Sequence, residues 1–126
     1  MKNEDFVPFE LAVKLEEKGF NEPCYGYYHC NGGNDSFELC GNGDRDFQNS
    51  KNQYRVAAPT IPQVLKWLRE EKKIYLEIVI VVDAEYMCDI YKINPRPIEC
   101  LGSTEYYKTY EAAALAGIEY VIDNLI

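Results

Sequence analysis

The spacing of apolar residues along the chain predicts three amphipathic helices. After Pro8, apolar side chains recur at helical spacing at Leu11, Ala12 and Leu15. Gly19 is placed to end this helix in the left-handed conformation, which brings Phe20 back onto Leu15. Later helices are expected after Thr60, which forms a capping box with Gln63, and after Thr109. Their apolar faces comprise Ile61, Val64, Leu65 and Leu68 with Trp67 beside them, and Tyr110, Ala113, Ala114, Gly117, Ile118, Val121 and Leu125.

Runs rich in aromatic and β-branched residues predict two hairpins between these helices. The turns are expected at 31–35 and at Asp83-Ala84-Glu85, and Pro95 and Pro97 interrupt regular structure after the second hairpin. The predicted strands are residues 24–30, 36–40, 74–82 and 86–93. The order α-β-β-α-β-β-α indicates an α+β fold, in which antiparallel hairpins form a sheet packed by helices.

The length of 126 residues predicts a single α+β domain over residues 1–126. Residues 41–53 are mostly Gly, Asn, Asp, Ser and Gln, so a mobile loop is expected there. The even-numbered residues of 74–82 are all apolar, and Val79 and Val81 between them are apolar as well, which predicts that both sheet faces are covered there. If the helices all pack on one face, a loop or a second subunit must cover the other, and the second case predicts a homodimer.

Composition and charge argue against nucleic acids and membranes as binding partners. The 21 acidic and 13 basic residues give a net charge of −8, which repels the phosphates of nucleic acids and disfavours direct binding to them. The longest apolar run is too short for a bilayer, and the first residues do not resemble a signal peptide. We therefore expect a cytoplasmic protein without a membrane partner. The odd number of cysteines, five, favours reduced thiols over disulfides.

Candidate catalytic and metal-binding residues are sparse. His29 is the single histidine, and its neighbour Cys30 points to the opposite face of a strand, so the two do not form a dyad. Cys24, Cys30, Cys40 and His29 lack the close ligand pairs of a zinc site. No catalytic residue, cofactor or metal is expected, and the chain is predicted not to be an enzyme.

One segment has the alternating oxygen ligands of a calcium loop. Asn42, Asp44 and Asp46 fit the first positions, but Phe47 occupies the position of the glycine and Gln53 that of the bidentate glutamate. A solvated turn is the favoured interpretation, and cation binding by these three residues stays open.

Tyrosine is abundant, with 11 residues, and is concentrated in two short stretches. Tyrosine suits protein interfaces because it combines a rigid apolar ring with a polar tip. We therefore predict an interface formed by Tyr25, Tyr27, Tyr28, Tyr106 and Tyr107.

Several short motifs resemble a family of small uncharacterised proteins from phages and conjugative elements of gut bacteria. They are Phe9-Glu10-Leu11-Ala12, Glu17-Lys18-Gly19-Phe20, Glu22-Pro23-Cys24, Ala58-Pro59-Thr60, Gln63-Val64, Trp67-Leu68-Arg69-Glu70, Tyr107-Lys108-Thr109-Tyr110-Glu111-Ala112-Ala113 and Ala116-Gly117-Ile118. The resemblance covers most of the chain and implies a fold and an origin in a mobile element. It implies no site residues.

The leading hypothesis is a non-enzymatic accessory protein of a mobile element that binds another protein through exposed aromatic or sheet surface. One alternative is an acidic mimic of nucleic acid that occupies a DNA-binding protein. Another is a small enzyme whose site is assembled from residues distant in sequence.

Overall fold

A computed structural model describes residues 5–30, 37–41, 55–93 and 98–126, with the backbone alone at positions 29, 30 and 37–41. The chain divides into two compact units, Met1–Thr60 and Ile61–Ile126. Helices and antiparallel strands occur in both units, which confirms the predicted α+β class. The single domain over residues 1–126 stays a prediction. The loop predicted at 41–53 lies outside the described residues apart from Gly41, which ends a strand.

The first unit contains one helix and one antiparallel sheet. The elements are α1 (Phe9–Glu17), β1 (Gly26–Cys30), β2 (Phe37–Gly41) and β3 (Arg55–Ala58), and the strand order is β2-β1-β3. The β1–β2 pairing confirms the first predicted hairpin. The sequence analysis did not predict β3, which pairs with the other edge of β1 and packs against α1.

Local sequence determines the C-terminal end and the buried face of α1. Its apolar positions Leu11, Ala12 and Leu15 are buried, as predicted. Gly19 has a φ of +94°, and the Phe20 N–H donates to the Leu15 carbonyl at 2.9 Å, which is the predicted Schellman ending. Phe20 is 1% exposed, so the residue that closes the helix also belongs to the core.

The second unit contains two helices and a second sheet. Its elements are α2 (Ile61–Glu71), β4 (Ile74–Val81), β5 (Glu85–Lys92), β6 (Glu99–Ser103) and α3 (Tyr110–Asn124). The sheet is antiparallel in the order β4-β5-β6, so the second hairpin is confirmed and β6 is an addition to it. A β-bulge interrupts the last pairing: Ile90 pairs with Gly102, and Tyr91 pairs with Cys100.

Alternating residues of β4 and β5 form the buried layer of the second unit. Ile74, Leu76, Cys88 and Ile90 are buried, and α2 and α3 pack against these strands. Gly117 of α3 permits close approach, because a Cβ there would lie 2.5 Å from the Cys88 Sγ atom. Within the second unit, both helices therefore pack onto one sheet.

Non-glycine residues with positive φ form the tight connections of the second unit. Lys73 (φ 58°) links α2 to β4, while Asp83 (φ 63°) and Ala84 (φ 57°) form the turn between β4 and β5. This is the turn predicted from sequence. Left-handed backbone is tolerated by Asp better than by Ala, so Ala84 is a strained position.

Candidate interaction surface

The first predicted tyrosine cluster is divided between core and surface. Tyr28 is 7% exposed, and its hydroxyl donates a 2.6 Å hydrogen bond to the Val7 carbonyl. Burial raises the pKa of Tyr28. Tyr27 and Tyr25 are half-buried, and the Arg55 guanidinium lies 5.1 Å from the centre of the Tyr27 ring. Tyr28 is thus a structural residue of the first unit.

The second predicted cluster gathers tyrosines from three segments of the second unit. Tyr107 exchanges two backbone hydrogen bonds of 2.7 Å with Tyr86, near the start of β5. The Tyr86 ring meets the Tyr110 ring edge to face, with centroids 6.3 Å apart. Tyr106 is 55% exposed and Tyr110 is 44% exposed. We call Tyr86, Tyr106, Tyr107 and Tyr110 the tyrosine surface.

A helix cap and an ion pair flank the tyrosine surface. The Thr109 hydroxyl accepts a 3.0 Å hydrogen bond from the Ala112 N–H, which confirms Thr109 as the cap of α3 and fixes the helix start at Tyr110. Lys108 and Glu85 form an ion pair of 3.6 Å at the margin. Because Lys108 is almost fully exposed, this pair adds little stability but gives the margin a polar character.

Sequence reasoning missed Tyr86, Ile80 and Val82 as surface residues. Ile80 pairs directly with Tyr86, and it is 71% exposed, whereas Leu76 on the same face of β4 is 6% exposed. Val82, in the adjoining turn, is 76% exposed. At this end of β4, the sheet of the second unit therefore extends beyond the area that α2 and α3 cover. The sequence did contain a sign of this exposure, because the apolar even-numbered positions continue from Ile74 to Val82, right up to the turn.

The other face of the second sheet has a polar centre. Glu77 pairs with Asp89, and the Ser103 hydroxyl donates a 2.7 Å hydrogen bond to the Asp89 carboxylate. The pKa of the neighbouring Tyr91 is raised, first by desolvation and then by Asp89, Glu77 and Cys100. Among the described residues, no group of three or more His, Cys, Asp and Glu side chains could hold a metal ion.

The described cysteines, Cys24, Cys88 and Cys100, form no disulfide. Cys88 is buried against α3, and burial, followed by the Asp89 carboxylate, raises its pKa to about 12. A thiol with this pKa is protonated at neutral pH and is a poor nucleophile. Cys24 is buried, as expected for a small apolar core residue, and its thiol donates to the Glu22 carbonyl at 3.3 Å.

Several of the candidate catalytic and metal-binding residues lie outside the part of the chain that the structure describes. The side chains of His29, Cys30 and Cys40 lie outside the described part of the chain. The same holds for Asn42, Asp44 and Asp46, the residues with calcium-loop spacing.

No protein-family model, curated protein or solved structure matches this chain. Among the helices of the described residues, none combines the length and apolar character needed to span a membrane.

Proposed function

We propose that this chain is a non-enzymatic accessory protein of a mobile element, and that it acts by binding another protein through the tyrosine surface. The observation that carries the proposal is that backbone pairing and ring packing bring Tyr86, Tyr107 and Tyr110 together, with large exposed fractions at Tyr110 and at Tyr106, which precedes Tyr107 in the chain. The mobile-element setting rests on the sequence resemblance alone.

The geometry of these tyrosines suits protein recognition. Backbone hydrogen bonds fix Tyr86, and the exposed Tyr110 ring packs against it, so the Tyr110 ring loses little conformational freedom when a partner binds. Tyrosine is enriched among the residues that dominate binding energy at interfaces. The Lys108–Glu85 pair at the margin resembles the polar rim that commonly surrounds an apolar interface centre.

Affinity capture in the native host, followed by binding measurements with the purified partner, tests this function. We expect Tyr106→Ser and Tyr110→Ser each to weaken binding about tenfold or more, because each removes an exposed ring. Tyr120→Ser is the matched control, since Tyr120 is 37% exposed and lies outside the tyrosine surface. Equal affinity of the two variants and the control for the captured partner contradicts the proposal.

A further inference from the structure

β4 is an edge strand with unusually few features that prevent pairing with another chain. Within the described residues it pairs with β5 alone. Its sequence contains one charged residue, Glu77, and no proline or glycine, and its pairing with β5 has no bulge. Natural edge strands are commonly protected by such features because an unprotected edge is a template for strand addition.

The hydrogen-bond pattern shows which backbone groups lie on this open edge. The Ile93 N–H donates to the Lys73 carbonyl at 3.0 Å, whereas the Cys88 N–H is directed away from β4, to the Thr104 hydroxyl. Antiparallel ladders alternate, so the odd-numbered residues of β4 bond to β5. The N–H and C=O groups of the even-numbered residues from Ile74 to Ile80 therefore point to the open edge.

We propose that a second copy of this chain pairs with β4, in antiparallel orientation about a twofold axis at Ile78. In this register Ile78 lies opposite the partner's Ile78, Ile80 lies opposite the partner's Leu76, and Glu77 faces the partner's Val79 rather than another carboxylate. Directly opposed residues in an antiparallel pair share a face, so apolar side chains meet apolar side chains. The pairing joins the two second-unit sheets into one.

Two further observations favour a second copy over an unrelated strand. Ile80 and Val82 are 71% and 76% exposed; the pairing places Ile80 beside the partner's buried Leu76 and brings Val82, in the adjoining turn, near the partner's Ile74. Exposed Lys73 immediately precedes β4 and exposed Asp83 lies in the turn that follows it, so the twofold axis brings these opposite charges near each other at both ends of the strand pair. The edge is thus complementary to itself in both apolar pattern and charge.

Sedimentation of the full chain at about 0.15 M salt, where charges more than roughly 8 Å apart are screened, tests the pairing. We expect twice the mass of the chain at high micromolar concentration. Ile80→Lys is expected to weaken association at least tenfold without unfolding the chain, because Ile80 is already exposed. Ile98→Lys makes the same change at another exposed isoleucine, 64% exposed, and should leave association within twofold.

Charge reversal tests the register. Lys73→Glu is expected to weaken association about fivefold, because it replaces an attraction by a repulsion at both ends of the strand pair. Adding Asp83→Lys to the same chain should restore it. A chain that stays monomeric at all concentrations tested overturns the proposal, and a different protein would then be the candidate partner of the β4 edge. Equal effects of Ile80→Lys and Ile98→Lys, or failure of the double reversal to recover association, also overturn it. Ile80 pairs directly with Tyr86, so the charge-reversal variants at Lys73 and Asp83, which lie outside the tyrosine surface, are the ones that separate this result from that of the proposed function.

Discussion

Replacing Gly117 by alanine is the sharpest test of how the second unit is packed. An added Cβ at Gly117 would lie 2.5 Å from the Cys88 Sγ, 3.0 Å from the Leu76 Cδ2 and 3.1 Å from the Cys88 Cβ. Favourable contacts between carbon atoms occur at about 3.5–4.0 Å, so the new methyl group overlaps with two buried side chains. A close-packed interior relieves such overlap only by moving α3 or forcing a side chain off its rotamer.

The expected magnitude is the difference between two opposing effects. Overpacking of this kind costs about 1–3 kcal/mol, and the overlap with two residues places Gly117→Ala towards the upper end. Alanine gains about 1 kcal/mol over glycine in a helix interior. We therefore expect a net loss of about 2 kcal/mol in the free energy of unfolding.

Urea unfolding followed by the fluorescence of Trp67 measures this loss directly. Trp67 is the single tryptophan and is buried in the second unit, so its emission reports on the unit that contains Gly117. Gly102→Ala is the glycine control: its Cβ would approach no closer than 3.2 Å, and the nearest atom is the Tyr120 hydroxyl at the end of a flexible side chain. We expect that control to change stability by less than about 1 kcal/mol.

A double-mutant cycle identifies the cause of the loss. Cys88→Ala removes the sulfur atom that makes the closest contact, so Gly117→Ala should cost less than about 1 kcal/mol in that background. If Gly117→Ala stabilises the chain, as helix propensity alone predicts, the close approach of α3 to β5 is wrong. The same holds if the cost of Gly117→Ala does not depend on Cys88.

Four further outcomes can be measured with the full chain. Gly19→Ala should lower the free energy of unfolding by about 1–2 kcal/mol, measured by thermal unfolding with circular dichroism. Gly19 has a φ of +94°, and an added Cβ would meet no atom within 4 Å, so the cost comes from the backbone conformation and not from a clash. Tyr28→Phe should cost about 1–2 kcal/mol in the same assay, since it leaves the Val7 carbonyl without its 2.6 Å hydrogen bond. Thr104→Val should cost a similar amount by Trp fluorescence, whereas Thr104→Ser, which keeps the hydroxyl that accepts from the Cys88 N–H at 2.9 Å, should cost less. Between pH 9 and about pH 12, the free energy of unfolding should fall by up to roughly 1.4 kcal/mol per pH unit. The reason is that the Cys88 thiol ionises in the unfolded chain, whereas burial keeps it protonated in the folded chain. Cys88→Ala should remove most of this pH dependence.

Features determined by neighbouring residues were predictable from sequence. The Gly19 ending of α1, the Thr109 cap of α3 and the turn at Asp83 depend on a few adjacent positions whose chemistry has few alternatives. The two hairpins were predictable for the same reason, because their strands are close in sequence.

The features that the sequence analysis missed depend on contacts between distant segments. β3 and β6 are short and contain Ala57 and Gly102, which have low strand propensity, so their pairing partners rather than their own residues make them strands. Two separate sheets, rather than one, follow from the same long-range pairing. Tyr106 and Tyr107 were recognisable as a cluster, but Tyr86 joins them only through the backbone pairing with Tyr107. The nucleic-acid mimic and the enzyme stay predictions that no observation favours.

The bulge in β6 limits how far a sheet built from this chain can grow. At Leu101, β6 has one residue more than β5 opposite it. Such a bulge increases the local twist and makes the edge strand less suited to pair with another strand. Two copies joined through β4 would therefore end, on both outer sides, in strands that are poorly suited to recruit a third. Because the β4 edge can pair with a second copy and the β6 edge cannot readily do so, the assembly would stop at a dimer and would not grow into a fibre.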